Sequence, residues 1–178
     1  EFACVPERQT AEKGTRVLVS FGGTDAAGLN QKVASLLAYG LDAEVRVVVP
    51  PGATAPAGAP FTACRATVVE NACMSEQMVW ADLVVTGQGR TVAEAVACRT
   101  PVVTLAQNER ESRHTKLPGV LNLGLWAACS DEALLRCVTR LLDRPLLRAE
   151  MVDSASRAVD GKGVERIVHA IEGLLRGL

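Results

Sequence analysis

The sequence predicts an α/β fold in which a doubly wound parallel sheet of about six strands is covered by helices on both faces. Three observations carry this expectation. Short runs rich in β-branched residues recur along the chain, two of them run into glycine turns, and segments with helical spacing of apolar residues follow. The 178 residues are 48% hydrophobic, enough to close one sizeable core. That apolar set contains 26 alanines against six aromatic residues, which suits helices lying close on a sheet.

Residues 16–21 (RVLVSF) end at Gly22-Gly23, the pattern of a buried strand entering a glycine turn. Val33, Leu36 and Leu37 then fall at helical spacing within residues 30–39. Residues 44–49 (EVRVVV) read as a second strand, and residues 50–60, full of Pro, Gly and Ala, as an irregular loop. A brief third strand over residues 67–70 precedes a helix over 72–80, whose Met74 and Met78, with Trp80, read as core. Residues 82–86 (DLVVT) make a fourth strand that ends at Gly87-Gln88-Gly89, and the turn opens a helix over 91–98. Residues 101–106 (PVVTLA) follow as a fifth strand whose leading proline needs no ladder donor. The polar stretch 108–116 reads as helical, and residues 119–126 lead to a short sixth strand around 127–129. Ser130 or Asp131 caps a helix over 132–142. Asp160-Gly161 precedes a terminal helix with Val164, Ile167, Val168, Ile171, Leu174 and Leu175 along one side. Residues 1–15 are set apart as a linker or a cloning remnant, leaving 16–178 as one domain.

Lys and Arg number 19 against 20 acidic residues, so no global field draws the chain to nucleic acid or anionic lipid, and an anionic ligand must be held locally. The six cysteines are dispersed, with no CxxC and no histidine at metal-ligand spacing. This reads as reduced thiols in a cytosol, with no metal and no cofactor. The longest uncharged stretch, residues 47–64, carries four prolines and two glycines and cannot be a membrane helix. The N-terminus lacks the basic-then-apolar order of a signal peptide.

Ligands of doubly wound sheets bind outside the carboxyl ends of the strands, near the point where strand order reverses. Two turns stand there: Gly22-Gly23-Thr24 after the first strand, and Gly87-Gln88-Gly89-Arg90-Thr91 after the fourth. Both precede helices. Glycine lets backbone N–H groups approach an anion, and a helix start adds about half a positive charge, so phosphate is the natural guest of either turn. A plain strand-to-helix turn explains each equally when taken alone. Glu94 lies three residues after Thr91, where it can reach a ribose diol or close a capping box with Thr91. Asn108, Glu109 and His114 bring amide, carboxylate and imidazole to the same rim, groups that a polyol requires and a solvated helix start also displays. His169, between Val168 and Ala170, reads as structural, and Gly161-Lys162-Gly163 as a turn. The chain has no GxxxxGK[ST] and no GxSxG. Its first turn reads GGTDAAG rather than GxGxxG, and its second strand ends in Val49-Pro50-Pro51 where a nicotinamide-binding fold carries an acid for the ribose.

SFGGTD, the central MSEQMVWADLVVTGQGRTVAEAVACRTPVV, NERESRHT and DGKGVERIV together resemble the C-terminal half of GT-B fold nucleotide-sugar enzymes. Within that group the pattern is similar to the UDP-sugar hydrolases of the pseudaminic acid pathway and the spore-coat polysaccharide proteins. The resemblance runs from about Arg16 to Leu178 and implies a Rossmann-like domain that holds a donor nucleotide. It implies that Gly22, Gly23 and Thr24, with Gly87, Gln88, Gly89, Arg90 and Thr91, line a diphosphate, that Glu94 takes the ribose hydroxyls, and that the base lies near residues 69–74, by Met74. Asn108 and Glu109 fall where the hydrolases carry the Asn-Gln that faces the sugar. The catalytic base of such an enzyme belongs to an N-terminal domain or partner that these residues do not include. The expected function is therefore UDP-sugar binding within a cytoplasmic glycosyltransferase or hydrolase of surface-glycan synthesis. The alternative is a non-catalytic sugar-nucleotide or docking module. No nucleic-acid partner and no membrane insertion are expected.

Overall fold

A computed structural model describes residue 2 and residues 10–23, 25–50, 66–114 and 116–176. Thr24, most of the Pro/Gly/Ala loop and most of the expected linker lie outside the described residues, as do Cys4 and Cys64.

Among the described residues six strands, β1 (Arg16–Ser20), β2 (Glu44–Val49), β3 (Ala66–Glu70), β4 (Leu83–Thr86), β5 (Val102–Ala106) and β6 (Leu121–Leu125), form one sheet in the order β3-β2-β1-β4-β5-β6. Every pairing is parallel. Crossover helices are the reason: α1 (Leu29–Gly40) joins β1 to β2, α2 (Met74–Trp80) joins β3 to β4, and α3 (Arg90–Ala97) joins β4 to β5. After a single turn of helix α4 (Glu109–Ser112) and β6 come α5 (Asp131–Asp143), α6 (Pro145–Ser156) and α7 (Gly163–Arg176). The order reverses between β1 and β4, which places the switch point between the two glycine turns.

Alternation along the strands divides the core in two. Val17, Val19, Leu83, Val85, Val103 and Leu105 point to the face covered by α1 and α5, where Leu29, Val33, Leu37, Leu134, Val138 and Leu141 meet them. Leu18, Val84 and Val102 point to the other face, against Met78 of α2 and Val92, Ala95 and Val96 of α3. α6 contributes Met151 to the first cluster and Ala155 to the second. Each fully buried aliphatic side chain contributes about 1.5–3 kcal/mol, so the two clusters fix the strand order from which the rim is built. At the amino end, buried Asp82 accepts from the Thr15 N–H at 2.9 Å, the Arg16 N–H at 3.1 Å and the Arg16 guanidinium at 3.1 Å, tying the start of β1 to that of β4.

Three expectations are corrected. The sixth strand occupies Leu121–Leu125, and residues 126–128 form a 3₁₀ turn instead. Asn122 and Gly124 disguise the strand: Gly124 adopts φ +81°, its N–H donates to Asn122 Oδ1 at 2.7 Å, and the register with β5 slips there. Helix in the 108–116 stretch is confined to α4. His169 is exposed on α7 rather than packed in the core. The apolar side of α7 is present as expected, yet all six of its large residues are exposed, from Val168 at 47% to Val164 and Leu174 at 73%. Among the described residues, no helix is long and apolar enough to cross a membrane.

Candidate functional site

Two clefts meet at the switch point. The larger, about 420 Å³, lies over the ends of β1 and β2 and is lined by Ser20, Val48, Val49, Asn71, Met74, Thr91 and Glu94. The second, about 300 Å³, lies over β1, β4 and β5 and is lined by Gly87, Gly89, Arg90, Thr91, Gln107 and Glu111. Gly22, Gly23, Thr91 and Glu94 border both, so they form the wall between the two spaces.

The turn after β1 is held from below. Buried Asn30 accepts from the Phe21 N–H at 2.8 Å, and Gly22 then takes φ +77°, a conformation that glycine adopts without strain. The helix start beyond it is closed: Asp25 accepts from the Leu29 N–H at 2.7 Å and the Asn30 N–H at 2.8 Å. The expectation that both turns offer an open helix N-terminus is therefore corrected for α1. Its first donors are satisfied by a carboxylate of the chain itself, which also neutralises the helix-end charge.

α3 differs. Gly89 is its N-cap and, among the described residues, no side chain caps it, so the N–H groups of Arg90 and Thr91 emerge toward the clefts with no partner inside the helix. Thr91 stands at the second helical position, with Gly89 rather than Thr91 at the cap. Glu94 sits half-buried between the two clefts. Arg90 is exposed and makes no ion pair among the described residues.

The remaining expected residues divide. Met74 lines the larger cleft beside Asn71, whose φ of +50° turns the chain at the rim, while Met78 is fully buried in the core. Trp80 lies against the Arg46 guanidinium, 3.8 Å from the ring centre, away from both clefts. Gln88 turns inward: it is buried, its Nε2 donates to the His114 carbonyl at 3.3 Å, and its Oε1 accepts from Asn122 at 3.3 Å. His114 Nδ1 meets the Gln88 carbonyl at 2.5 Å. Gln88 and His114 thus clip the β4 turn to the segment before β6, around a cavity of about 30 Å³. Asn108 caps α4 through the Glu111 N–H at 3.0 Å, and Glu109 is exposed and lines neither cleft. The 107–111 segment instead presents Gln107 and Glu111.

Reasoning from the sequence also missed a polar row. Ser20, Thr86, Thr104 and Asn122 lie side by side in register across β1, β4, β5 and β6, directly below the rim. Thr86 Oγ1 donates to the Ser20 carbonyl at 2.5 Å, so the row fastens β4 to β1 beneath the turns. The signal was present as a hydroxyl near the carboxyl end of three successive core strands.

No family model matches the chain. Its fold matches that of the calicheamicin glycosyltransferase CalG4, with TM-score 0.65 and 18% identity over 95% of this chain and 44% of that one. It also matches the spinosyn rhamnosyltransferase SpnG, determined with thymidine diphosphate, with TM-score 0.63 and 16% identity over 84% of this chain and 43% of that one. The six-stranded parallel sheet with its helices is thus a Rossmann-like α/β fold shared with part of each of these two GT-B glycosyltransferases. In sequence, the chain is 28% identical over 105 residues to the spore coat polysaccharide biosynthesis protein SpsG of Bacillus subtilis (strain 168), covering 57% of this chain and 31% of that protein. It spans less than half the length of each of these proteins.

Proposed function

We propose that the chain binds a nucleoside diphosphate sugar, with uridine as the nucleoside, as the donor half of a cytoplasmic glycosyltransferase or sugar-nucleotide hydrolase of surface-glycan synthesis. One observation carries the reading: an uncapped helix N-terminus, that of α3, faces the Gly22-Gly23 turn across a cleft at the switch point. The N–H groups of Gly89, Arg90 and Thr91 would hold the diphosphate and stabilise charge that develops as the sugar–phosphate bond breaks. Arg90 would offset part of its charge. Glu94, between the clefts, would accept from the ribose hydroxyls, and the base would enter the larger cleft beside Met74 and Val49. The reacting base would come from the rest of a longer protein, and the exposed apolar side of α7 is the surface suited to pack against it.

Calorimetric titration with UDP, thymidine diphosphate, CMP, GDP and NAD tests the reading. UDP is expected to bind and NAD to give no heat. Glu94→Ala is expected to weaken UDP by about 1–3 kcal/mol, the scale of hydrogen bonds to a charged group. Unchanged UDP affinity in that variant removes Glu94 from the site.

A further inference from the structure

The cleft assigned to the diphosphate contains a fixed negative charge. Glu111 Oε2 accepts from the Gln107 N–H at 2.8 Å and Oε1 from the Gln107 side-chain amide at 2.9 Å, while the Glu111 N–H donates to Asn108 at 3.0 Å. Gln107 is pinned in turn. Its amide donates to the Phe21 carbonyl at 3.2 Å and accepts from the Ala27 N–H at 3.5 Å. The carboxylate is therefore held at both ends and cannot swing away. Its Oε2 lies 3.3 Å from the place a Cβ would take on Gly87, beside Gly89 and Arg90, and it makes no ion pair among the described residues.

A fixed carboxylate opposes an anion in the same cleft, by an amount that rises with the anion's charge. It accepts hydrogen bonds from neutral hydroxyls at no such cost. A diphosphate esterified by a sugar carries one charge per phosphate, whereas a free terminal phosphate carries nearly two at neutral pH. We infer that Glu111 sets the ligand class of this cleft, favouring a diphosphate whose far end bears a neutral, hydroxylated group over a free nucleoside di- or triphosphate. The inference rests on the diphosphate reading given above.

Titration of UMP, UDP, UTP and UDP-N-acetylglucosamine into the wild-type chain, Glu111→Gln and Glu111→Asp at low salt tests it. Wild type is expected to prefer the sugar nucleotide to UTP. Glu111→Gln is expected to gain about tenfold for UTP and less for UDP, the order that charge repulsion at short range predicts, with UMP, which carries the least total charge and keeps its one phosphate next to the nucleoside, gaining least. Glu111→Asp, which keeps the charge, is expected to keep the preference. If Glu111→Gln does not fold, Glu111→Ala makes the same comparison. Equal ratios of UTP to sugar nucleotide in wild type and the uncharged variant overturn the inference while leaving the diphosphate site standing. Failure of every uridine nucleotide to bind wild type overturns both.

Discussion

Asp25 and Gly89 stand at the starts of two comparable helices with opposite consequences. The carboxylate of Asp25 satisfies the first donors of α1, and Gly89 leaves those of α3 open. The sequence showed both turns but not this difference, because whether Asp25 folds back on Leu29 depends on the path of the loop between them. The same limit separates Glu109 from Glu111. Two positions along a helical turn rotate a side chain by roughly 200°, so within one loop Glu111 lines the cleft and Glu109 does not. Gln107 and Glu111 do stand at the i,i+4 spacing of a helical pair, a signal available in the sequence. Away from the clefts, the Cys137 thiol is pushed up to about 11 by burial and by neighbouring Cys129, with Arg140 pulling it down. An unfolded thiol titrates near about 8.5. Between these values the folded state holds a proton that the unfolded state has lost, so stability is full below the unfolded value and falls as pH rises toward 11. Thermal melts from pH 7 to 11 are expected to show this decline and Cys137→Ala to flatten it; identical slopes for the two proteins contradict the assignment.

At the scale of elements, strands with dense β-branched runs were legible to within a residue or two, because a buried parallel strand has little choice of residue on either face. β6 was not, because an edge strand tolerates Asn and Gly, and its bulge at Gly124 breaks the alternation that would have revealed it. The pairing of β1 with β4 is tied by buried Asp82 at one end and by the Thr86 hydroxyl at the other. Asp82→Ala removes the partner of two backbone N–H groups and of the Arg16 guanidinium. It is expected to cost about 1.5–3 kcal/mol in denaturant unfolding, the scale of hydrogen bonds to a charged group, because the Arg16 side chain left behind is 39% exposed and remains solvated. UDP affinity of the folded variant should be unchanged, since the clefts lie at the opposite ends of these strands. A loss below 1 kcal/mol would show that the tie is dispensable.

For the whole molecule, the fold class and the rim that carries the clefts were readable from the alternation of strand and helix. The role of α7 was not, because amphipathic spacing says that a face is apolar and not what it meets. Six exposed large apolar residues on one helix form a patch of the kind that marks an interaction surface. Ile167→Glu with Ile171→Glu is expected to leave the melting of this chain nearly unchanged and, on the proposal that α7 packs against the rest of a longer protein, to destabilise that longer protein. Equal melting of that longer protein with and without the substitutions would mean that α7 packs on nothing there.

The most direct measurement is a crystal structure of this chain with UDP. The diphosphate should lie against the N–H groups of Gly89, Arg90 and Thr91, facing Gly22-Gly23, with the ribose hydroxyls on Glu94. A diphosphate bound elsewhere, or a rim left empty at saturating UDP, would contradict the claim that the open start of α3 is the anion site.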